Sequence, residues 1–454
     1  MPVTSIDPTN GSVRKAYPTI EIGECIRILD KSREAQRGWR RSSVADRCSR
    51  FLKLAKLLRT GADQHAITIT QEMGKPIGHS LEEIEQCAEI CEYYAEHGVN
   101  FLADQPIKTD FASSVLTFKP LGVILGIMPW NYPYLQVFRS AVPAIIAGNG
   151  FALKPASTTP DCGLQIEALF QAAGFPLDLF RVLLTDSQSA AVAMVHPAIQ
   201  GISFTGSTVA GRKVAAQAGT QTKKILMELG GSDPSIILDD ADLAHAARAC
   251  VSGKMINGGQ HCISVKRVIV MRSILEQFET ELVREMESIS LGDPFKKGTR
   301  LGPLGQERQR DELHQQVIQS LDAGAQLLTG GKIPERPGFF YPPTVLTDVK
   351  PGMPFYDEEV FGPALGIIPV EDESEAVAVA NDTIYGLGAA LYTARPERAT
   401  ALAEELDTGM VFINDFVRPD PRLPFGGVKA SGVGRELGRD GIQEFVNKRV
   451  VVVA

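Results

Sequence analysis

The sequence predicts an α/β protein with two doubly wound α/β domains and a small β arm. Its 454 residues are more than one hydrophobic core accommodates, so at least two domains are expected. Residues 20–100 place apolar side chains three and four apart, which is the period of amphipathic helices. From residue 115 onward short apolar strands alternate with helices, and this alternation is typical of βαβ units in parallel sheets.

The elements follow one another in a clear order along the chain. Three helices are predicted first, in CIRILDKSREAQRGW, ADRCSRFLKLAKLLRT and LEEIEQCAEICEYY. A strand-like run with a Lys-Pro break, VLTFKPLGVILGIMP, comes next, and helices then separate the strands GFALK, FRVLLT, GISFTG and KKILMEL. After Gly231 the alternation resumes with strands in VKRVIVM, YPPTVL, ALGIIPV, AALYTA and GMVFIN.

The pattern of elements divides the chain at Gly231, after which a second run of alternating strands and helices begins. Residues 1–103 and 122–230 are predicted to form the first domain, 231–430 the second, and 104–121 with 440–454 the arm. The tail EFVNKRVVVVA is a β-branched run without a partner nearby in sequence, so it must pair with something distant. Its preferred partner is a neighbouring subunit, which would cover its edges. We therefore expect a homodimer or a homotetramer.

Composition argues against several classes of protein. The chain is 44% hydrophobic and 22% charged, with a net charge of −8 and no long basic run, which disfavours nucleic-acid binding. It has neither an apolar run of about 18 residues nor a signal-peptide core in MPVTSIDPTNGS, so a cytoplasmic protein outside the membrane is expected. Seven scattered cysteines without zinc-type spacing predict free thiols and no metal.

Glycines cluster where predicted strands end, in GSTVAG (206–211), ELGG (228–231) and NGGQ (257–260). In open α/β sheets the carboxyl ends of the strands form the ligand crevice. GSTVAG opens a helix, whose backbone N–H groups could hold a pyrophosphate. The alternative is an ordinary helix cap formed by Ser207 and Thr208.

A set of reactive side chains lies near these glycines. Cys262 follows NGGQ, Glu228 ends a strand before two glycines, and Asn131 sits at a strand-to-helix turn between aromatic residues. A thiol, a carboxylate and a carboxamide can act as nucleophile, base and oxyanion donor. Spacing alone leaves open whether the three meet. His261 is a weaker candidate for the base, because its side chain is expected to point away from Cys262.

Seven motifs occur in the order found in one enzyme family. They are MPWNYP (128–133), ALKPAS (152–157), FTGSTVAG (204–211), MELGGSDP (227–234), NGGQHC (257–262), EEVFGP (358–363) and PFGGVKASGVGRELG (424–438). Nearly the whole chain thus resembles the aldehyde dehydrogenase superfamily. Runs such as VFRSAVPAIIAGN make it most similar to the bacterial succinate-semialdehyde dehydrogenases.

The resemblance implies a mechanism. Cys262 would attack the aldehyde, with the oxyanion held by the Asn131 side chain and the Cys262 backbone N–H. The thiohemiacetal would pass hydride to a nicotinamide and leave a thioester, which Glu228 would hydrolyse by activating water. The first domain would be a Rossmann-type cofactor domain, the second the catalytic domain, and the arm the oligomerisation element.

The resemblance also implies the cofactor residues. They comprise Trp130, Lys154, Ser157, Gly206, Ser207, Gly211, Leu229, Glu359 and Phe361. Many NAD-using members carry a glutamate where this chain has Ser157, and a carboxylate there repels a 2′-phosphate. Serine removes that repulsion and leaves Lys154 free to pair with the phosphate, so NADP is expected, with NAD as the alternative.

Substrate choice depends on Arg139, which lies two helical turns after Asn131 in an apolar segment, and on Phe425. The resemblance assigns Arg139 to the far carboxylate of the substrate, and an internal Asp or Glu is the alternative partner. Ile256 and Pro419 replace an arginine and a serine that one branch of the group carries. Arg418 or Arg422 could substitute for the missing clamp.

The sequence therefore favours oxidation of succinate semialdehyde to succinate with NADP. The first alternative is a dehydrogenase of another short aldehyde, in which Arg139 serves structure. A CoA-acylating enzyme is less favoured because Glu228 is present. A non-catalytic structural member of the fold is disfavoured by the intact set of Cys262, Glu228 and Asn131.

Overall fold

The computed structural model describes residues 3–454, so the first two residues of the predicted first domain lie outside the described part. The strands are β1 (Val3–Ile6), β2 (Val13–Tyr17), β3 (Gln105–Pro106), β4 (Ser113–Pro120), β5 (Val123–Ile127), β6 (Gly150–Lys154), β7 (Phe180–Val182), β8 (Ile199–Thr205), β9 (Lys224–Glu228), β10 (Pro234–Ile237), β11 (Arg267–Met271), β12 (Gln326–Thr329), β13 (Thr344–Thr347), β14 (Ala364–Val370), β15 (Gly388–Tyr392), β16 (Met410–Ile413), β17 (Gly432–Val433) and β18 (Val446–Val453). The helices are α1 (Ile22–Trp39), α2 (Val44–Thr60), α3 (Ala62–Met73), α4 (Ile77–Phe101), α5 (Leu135–Ile146), α6 (Pro160–Ala172), α7 (Ser187–Val195), α8 (Thr208–Thr220), α9 (Leu243–Met255), α10 (Leu275–Glu287), α11 (Glu307–Asp322), α12 (Pro354–Asp357), α13 (Glu373–Asn381), α14 (Pro396–Ala403) and α15 (Gly438–Glu444).

A six-stranded sheet carries the glycine motifs of the first half of the chain. Its order is β17-β9-β8-β5-β6-β7, and every pair is parallel except β17 with β9. Alternate residues of β5 enter different cores: Val123 and Leu125 pack with α1, α7 and α8, whereas Ile124 packs with α2, α4 and α5. Both faces are therefore covered, as in doubly wound folds. Lys154, Thr205 and Glu228 end β6, β8 and β9, so they share one sheet edge.

A seven-stranded sheet forms the second half, in the order β12-β13-β14-β11-β10-β15-β16. Only β12 runs antiparallel to its neighbour. On one face Ile237, Val268 and Val270 pack with α9 and α10, and on the other Ile236 and Ile269 pack with α11, α13 and α14. The predicted doubly wound fold with two parallel sheets is confirmed.

A three-stranded sheet, in the order β18-β4-β3, joins the two predicted pieces of the arm. The tail strand pairs antiparallel with β4 over its whole length, from Val446↔Pro120 to Val453↔Ser113. Its partner is thus distant in sequence but lies in the same chain, which corrects the preference for a neighbouring subunit at this edge. The opposite edge of β18 has no partner within residues 3–454, and Val450 to Val453 are exposed. Residues 438–444 form helix α15 rather than part of the strand.

The predicted helices and strands are present, and the structure adds helix α3 between the second and third predicted helices, together with several short strands. The hairpin β1–β2 was not predicted because each strand has four or five residues and a single buried one. Strand β10 begins with Pro234 immediately after a glycine turn, which hides a fully buried four-residue strand. Such short runs carry too little alternation to be recognised from sequence.

Candidate active site

The loop that carries Cys262 has an unusual backbone. Asn257, Gly258 and Gly259 adopt left-handed conformations in succession, with φ values of 55°, 62° and 73°. A Cβ atom on Gly259 would lie 2.0 Å from the Gly362 carbonyl oxygen. The two glycines are therefore required by conformation at both positions and by close backbone contact at the second. The loop turns sharply after α9 and delivers Cys262 to the edge between the two sheets.

A network of amides holds this loop against Asn131. The Asn131 side-chain Nδ2 donates to the Gln260 carbonyl oxygen at 2.9 Å, and Asn257 Nδ2 donates to the Asn131 carbonyl oxygen at 2.8 Å. The Gln260 side chain accepts from the Gly305 N–H at 2.8 Å. One N–H of the Asn131 amide remains available to a ligand. Asn257 and Gln260 were overlooked in the sequence, although both lie inside the quoted NGGQHC motif.

Cys262 lines a cavity of about 270 Å³ together with Asn131. The thiol is buried, and burial raises its pKa to about 12, with the Glu228 and Glu359 carboxylates contributing in the same direction. Lys266 and then Arg139 act in the opposite direction, because a positive charge favours the thiolate. The other six cysteines are also free and buried, but none of them lines this cavity.

Glu228 is buried, and neither of its carboxylate oxygens has a hydrogen-bond partner among the described residues. Burial, and then the nearby Glu436 carboxylate, raise its pKa well above the usual value. When it is ionised, such a carboxylate is a stronger base than an ordinary one, so Glu228 can act as a general base above its raised pKa. Glu228 also raises the pKa of the Cys262 thiol, so the charge of the predicted base acts on the predicted nucleophile, although Glu228 itself does not line the cavity.

Arg139 lies on α5, is 1% exposed, and forms an ion pair with Glu436 at 2.6 Å. Its guanidinium also lies 3.8 Å from the centre of the Phe425 ring. The structure therefore brings the two predicted substrate residues together, and it gives Arg139 an internal carboxylate partner. Glu436 was not singled out in the sequence, although its motif GRELG was quoted.

Arg418 and Arg422 lie apart from this cluster. Arg418 pairs with Asp415 at 2.8 Å, and Arg422 Nε donates to Asp420 at 2.8 Å. Their side chains are 58% and 75% exposed. Each arginine is neutralised locally on the surface, so the structure gives no support to either as the second substrate clamp.

His261 packs its ring 4.7 Å from that of Tyr132. Burial, followed by the charge of Arg139, lowers its pKa well below the ordinary value. The imidazole is therefore a neutral packing group, in agreement with the low rank that the sequence gave it as a base.

Part of the cavity wall is supplied by residues expected to bind the cofactor, and another part by side chains of α11 that were not predicted. Trp130, Gly206, Ser207, Leu229, Glu359 and Phe361 all line it. Trp130 and Phe361 meet edge to face, with ring centres 6.0 Å apart. Glu359 is half-buried and accepts the Gly231 N–H at 3.1 Å. An aromatic pair, a helix start and a carboxylate around one space fit a nicotinamide, its phosphates and its ribose hydroxyls.

GSTVAG performs two structural tasks besides lining the cavity. Ser207 is the N-cap of α8, and its Oγ accepts the Ala210 N–H at 3.3 Å, as the alternative interpretation held. A Cβ atom on Gly211 would lie 2.4 Å from Leu229, so this glycine permits close packing of α8 on the sheet. The cap leaves the other first-turn N–H groups of α8 open to an anion.

Lys154 is the last residue of β6 and Ser157 follows it, and neither residue lines the cavity. The Lys154 ammonium donates to the Pro155 carbonyl at 3.2 Å, and Ser157 is exposed. Burial lowers the pKa of Lys154, while the nearby Asp186 carboxylate raises it. Asp186, the N-cap of α7, was not predicted and adds one negative charge to this surface.

Residues 3–454 show neither a metal-binding cluster nor a membrane-spanning helix. No group of three or more His, Cys, Asp or Glu side chains there is arranged to hold a metal ion. None of the helices is both long and apolar enough to cross a membrane.

Two doubly wound sheets with a cysteine at the cleft beside a helix N-terminus define a class, the nucleotide-dependent oxidoreductases that act through a thiol. The chain belongs to the aldehyde dehydrogenase family, whose model matches residues 1–451.

Similar proteins include two from bacteria with related names. The "Probable succinate-semialdehyde dehydrogenase [NADP(+)]" of Synechocystis sp. is 42% identical over 454 residues, covering 100% of both chains. A succinate semialdehyde dehydrogenase [NAD(P)+] of Escherichia coli is 39% identical over 447 residues, covering 98% of this chain and 97% of that one. The crystal structure of the succinic semialdehyde dehydrogenase from Streptococcus pyogenes in complex with NADP+ has a TM-score of 0.97, with 34% identity and 99% of each chain covered.

Proposed function

We propose that the protein oxidises succinate semialdehyde to succinate with NADP. The observation that carries the proposal is the cavity in which Cys262 and Asn131 lie beside Ser207, Glu359 and Phe361. The names of the similar bacterial proteins support the substrate and the cofactor.

The chain's own residues divide the chemistry among them. The Cys262 sulfur attacks the aldehyde carbon as a thiolate, and the free N–H of Asn131 with the Cys262 backbone N–H stabilises the oxyanion. Glu228 then takes a proton from the water that hydrolyses the thioester. A nicotinamide bound in the cleft would be the oxidant for the step between attack on the aldehyde and hydrolysis of the thioester.

The cofactor would be held by elements at the sheet edge. The open first-turn N–H groups of α8 would hold the pyrophosphate, Glu359 the nicotinamide ribose, and Trp130, Leu229 and Phe361 the ring. Lys154 and Ser157 would bind the adenosine ribose and its 2′-phosphate. NADP is favoured because Ser157 brings no charge to that surface and Lys154 is a cation.

Placing a carboxylate at position 157 should reverse this preference. In Ser157→Glu the new charge faces the 2′-phosphate, and two like charges at about 4 Å repel by about 1 to 4 kcal/mol, depending on the local dielectric. Because Ser157 is exposed, we expect the lower end of this range, a loss of about five- to tenfold in kcat/KM for NADP. NAD lacks the phosphate and should be spared. The measurement is the ratio of kcat/KM for NADP over NAD.

Two further variants control this experiment. Ser157→Gln has nearly the size of the glutamate without its charge, so it should keep the NADP preference. Lys154→Ala should weaken both cofactors, and NADP more strongly, because only NADP loses a charge-assisted bond. An unchanged ratio in Ser157→Glu, or a wild-type preference for NAD, would remove Ser157 from cofactor selection.

Substitution of Arg139 tests whether the substrate carries a carboxylate that this residue binds. Because Arg139 is paired with Glu436, a substrate carboxylate must either share the guanidinium with Glu436 or replace Glu436 as its partner. Hydrogen bonds to charged groups are worth about 1.5–3 kcal/mol. In Arg139→Met, kcat/KM for succinate semialdehyde should therefore fall by about 10- to 150-fold. Butyraldehyde, with the same four carbons and no carboxylate, should lose much less, and the ratio of the two aldehydes is the readout.

The second variant for this test is Arg139→Met combined with Glu436→Gln, which removes both charges of the buried pair. It separates the loss of the anchor from the cost of an unpaired Glu436 carboxylate. If kcat/KM falls by the same factor for both aldehydes in both variants, Arg139 serves structure. The substrate would then be another short aldehyde.

The proposal includes an oligomeric assembly and a cellular compartment for the protein. We place the subunit contact at the free edge of β18, whose exposed valines would be covered in a homodimer or homotetramer. Seven free cysteines suit a reducing compartment, so we place the enzyme in the cytoplasm.

A further inference from the structure

Lys266 is completely buried four residues after the nucleophile. Its ammonium donates to three main-chain carbonyl oxygens, those of His261 at 3.1 Å, Cys262 at 2.5 Å and Ser264 at 3.3 Å. The closest carboxylate oxygen, on Glu359, is 3.8 Å away, at the outer limit of an ion pair. Lysine is rarely buried without a close counterion, so this placement requires an explanation.

The first explanation is geometric. After three left-handed residues, the carbonyl groups of residues 261, 262 and 264 converge on one point. Buried carbonyls that converge need a shared donor, because each unsatisfied group costs free energy. The packing on the far side is equally tight, since a Cβ atom on Gly231 would lie 2.6 Å from the Cys262 carbonyl oxygen. Lys266 thus fixes the peptide unit that follows the nucleophile's Cα.

The second explanation is electrostatic. The Cys262 sulfur is faced by two carboxylates, Glu228 and Glu359, which oppose its ionisation, and by two cations, Arg139 and Lys266, which favour it. Arg139 is committed to Glu436 at 2.6 Å. Lys266 makes no contact that close with a carboxylate, so more of its charge acts on the sulfur.

Other titratable groups interact with Lys266 electrostatically. They are Asp233, immediately before β10, and Lys254 on α9. Burial, followed by the charge of Lys266, lowers the pKa of Lys254 well below its usual value, so this second lysine is held neutral. Its Nζ forms a hydrogen bond only to the Val360 carbonyl, at 3.4 Å, and its Cε packs against Gly259. Two fully buried lysines therefore lie beside the nucleophile loop, and only Lys266 forms hydrogen bonds to the carbonyls of that loop.

We propose that Lys266 is a positioning residue that fixes the nucleophile loop and supplies the buried positive charge opposite the Cys262 thiolate. This role goes beyond the proposed substrate and cofactor, and it holds for the protein without either. It predicts a pH dependence of the thiol that mere structural support of the loop would not produce.

The test is alkylation of Cys262 by iodoacetamide in the cofactor-free protein, followed by intact mass and peptide mapping across a pH series. In Lys266→Met the rate should be about tenfold lower at any pH below the wild-type midpoint, which is a rise of about one pH unit in the midpoint. Lys266→Gln should behave similarly, because its amide can donate to the carbonyls but carries no charge. If the Met variant does not fold, the Gln variant decides the result.

The matched control is Lys254→Met, which removes the neutral buried amine beside the loop and should leave the alkylation midpoint unchanged. Thermal unfolding of each variant shows whether the fold is intact. A folded Lys266→Met or Lys266→Gln protein with the wild-type midpoint would overturn the proposal and leave Lys266 a structural residue. An equal shift of the alkylation midpoint in Lys254→Met would overturn it too. Removing a neutral buried lysine would then have the same effect as removing a charged one.

Discussion

Cys262→Ala should abolish aldehyde oxidation while NADP binding survives. The sulfur carries the covalent intermediate, and no other cysteine lines the cavity, so no neighbouring thiol can substitute for it. Loss of a covalent nucleophile removes most of the catalysed rate, and we expect a fall of more than about 1,000-fold in kcat. Because the methyl group is smaller than the thiol, the cofactor residues should stay in place. Steady-state assays and fluorescence titration with NADP check the two halves of this result.

Cys250→Ser is the control for this experiment. Cys250 is fully buried on α9, and burial raises its pKa to about 12, as it does for Cys262. It lies outside the cavity, so the variant should retain activity once its stability is matched. Substantial turnover in Cys262→Ala would remove Cys262 from the mechanism.

Much of the fold follows from sequence patterns of sufficient length. Helices α1, α2 and α4 and the strands from β4 to β9 repeat their apolar periods often enough to be assigned. The pairing of β18 with β4 could not be assigned, because the two strands are separated by more than 300 residues and a valine run fits many partners. The tail therefore predicts a strand, whereas only the folded chain identifies its neighbour.

The site was predictable where one side chain carries the chemistry. Cys262, Glu228 and Asn131 stand out by residue type beside glycine turns. Arg139 was identified, but its partner Glu436 lies almost 300 residues away in sequence. Nothing in the local sequence distinguishes that glutamate from the other glutamates of the chain. Burial and the convergence of backbone groups are properties of the folded chain, so they could not be predicted from the sequence.

Lys266 illustrates the same limit. In sequence it is an ordinary lysine at the start of a strand. It gains a role only because the left-handed residues before Cys262 turn three carbonyls onto it.

Glu228→Gln should slow the enzyme after its first chemical step. Glutamine keeps the shape of the side chain but cannot take a proton from water. General-base catalysis contributes about 10²- to 10⁴-fold, and we expect a loss of that size in steady-state turnover. Thioester formation does not need this base, so rapid mixing with excess aldehyde should still give one equivalent of NADPH per site. If the burst disappears together with turnover, Glu228 acts before the thioester forms.

The pH dependence of the wild-type enzyme provides a second measure of the same role. Burial and the Glu436 charge raise the pKa of Glu228, so at low pH its carboxyl is protonated and cannot act as a base. Thioester hydrolysis should therefore accelerate as the pH rises through that raised pKa, while the burst amplitude stays constant. Glu436→Gln removes the second cause of the shift, and it also frees the Arg139 cation to favour an ionised Glu228. Both effects lower the pKa of Glu228, so the rise in hydrolysis should move to lower pH. A hydrolysis profile that does not move in this variant would show that Glu228 is not the titrating base.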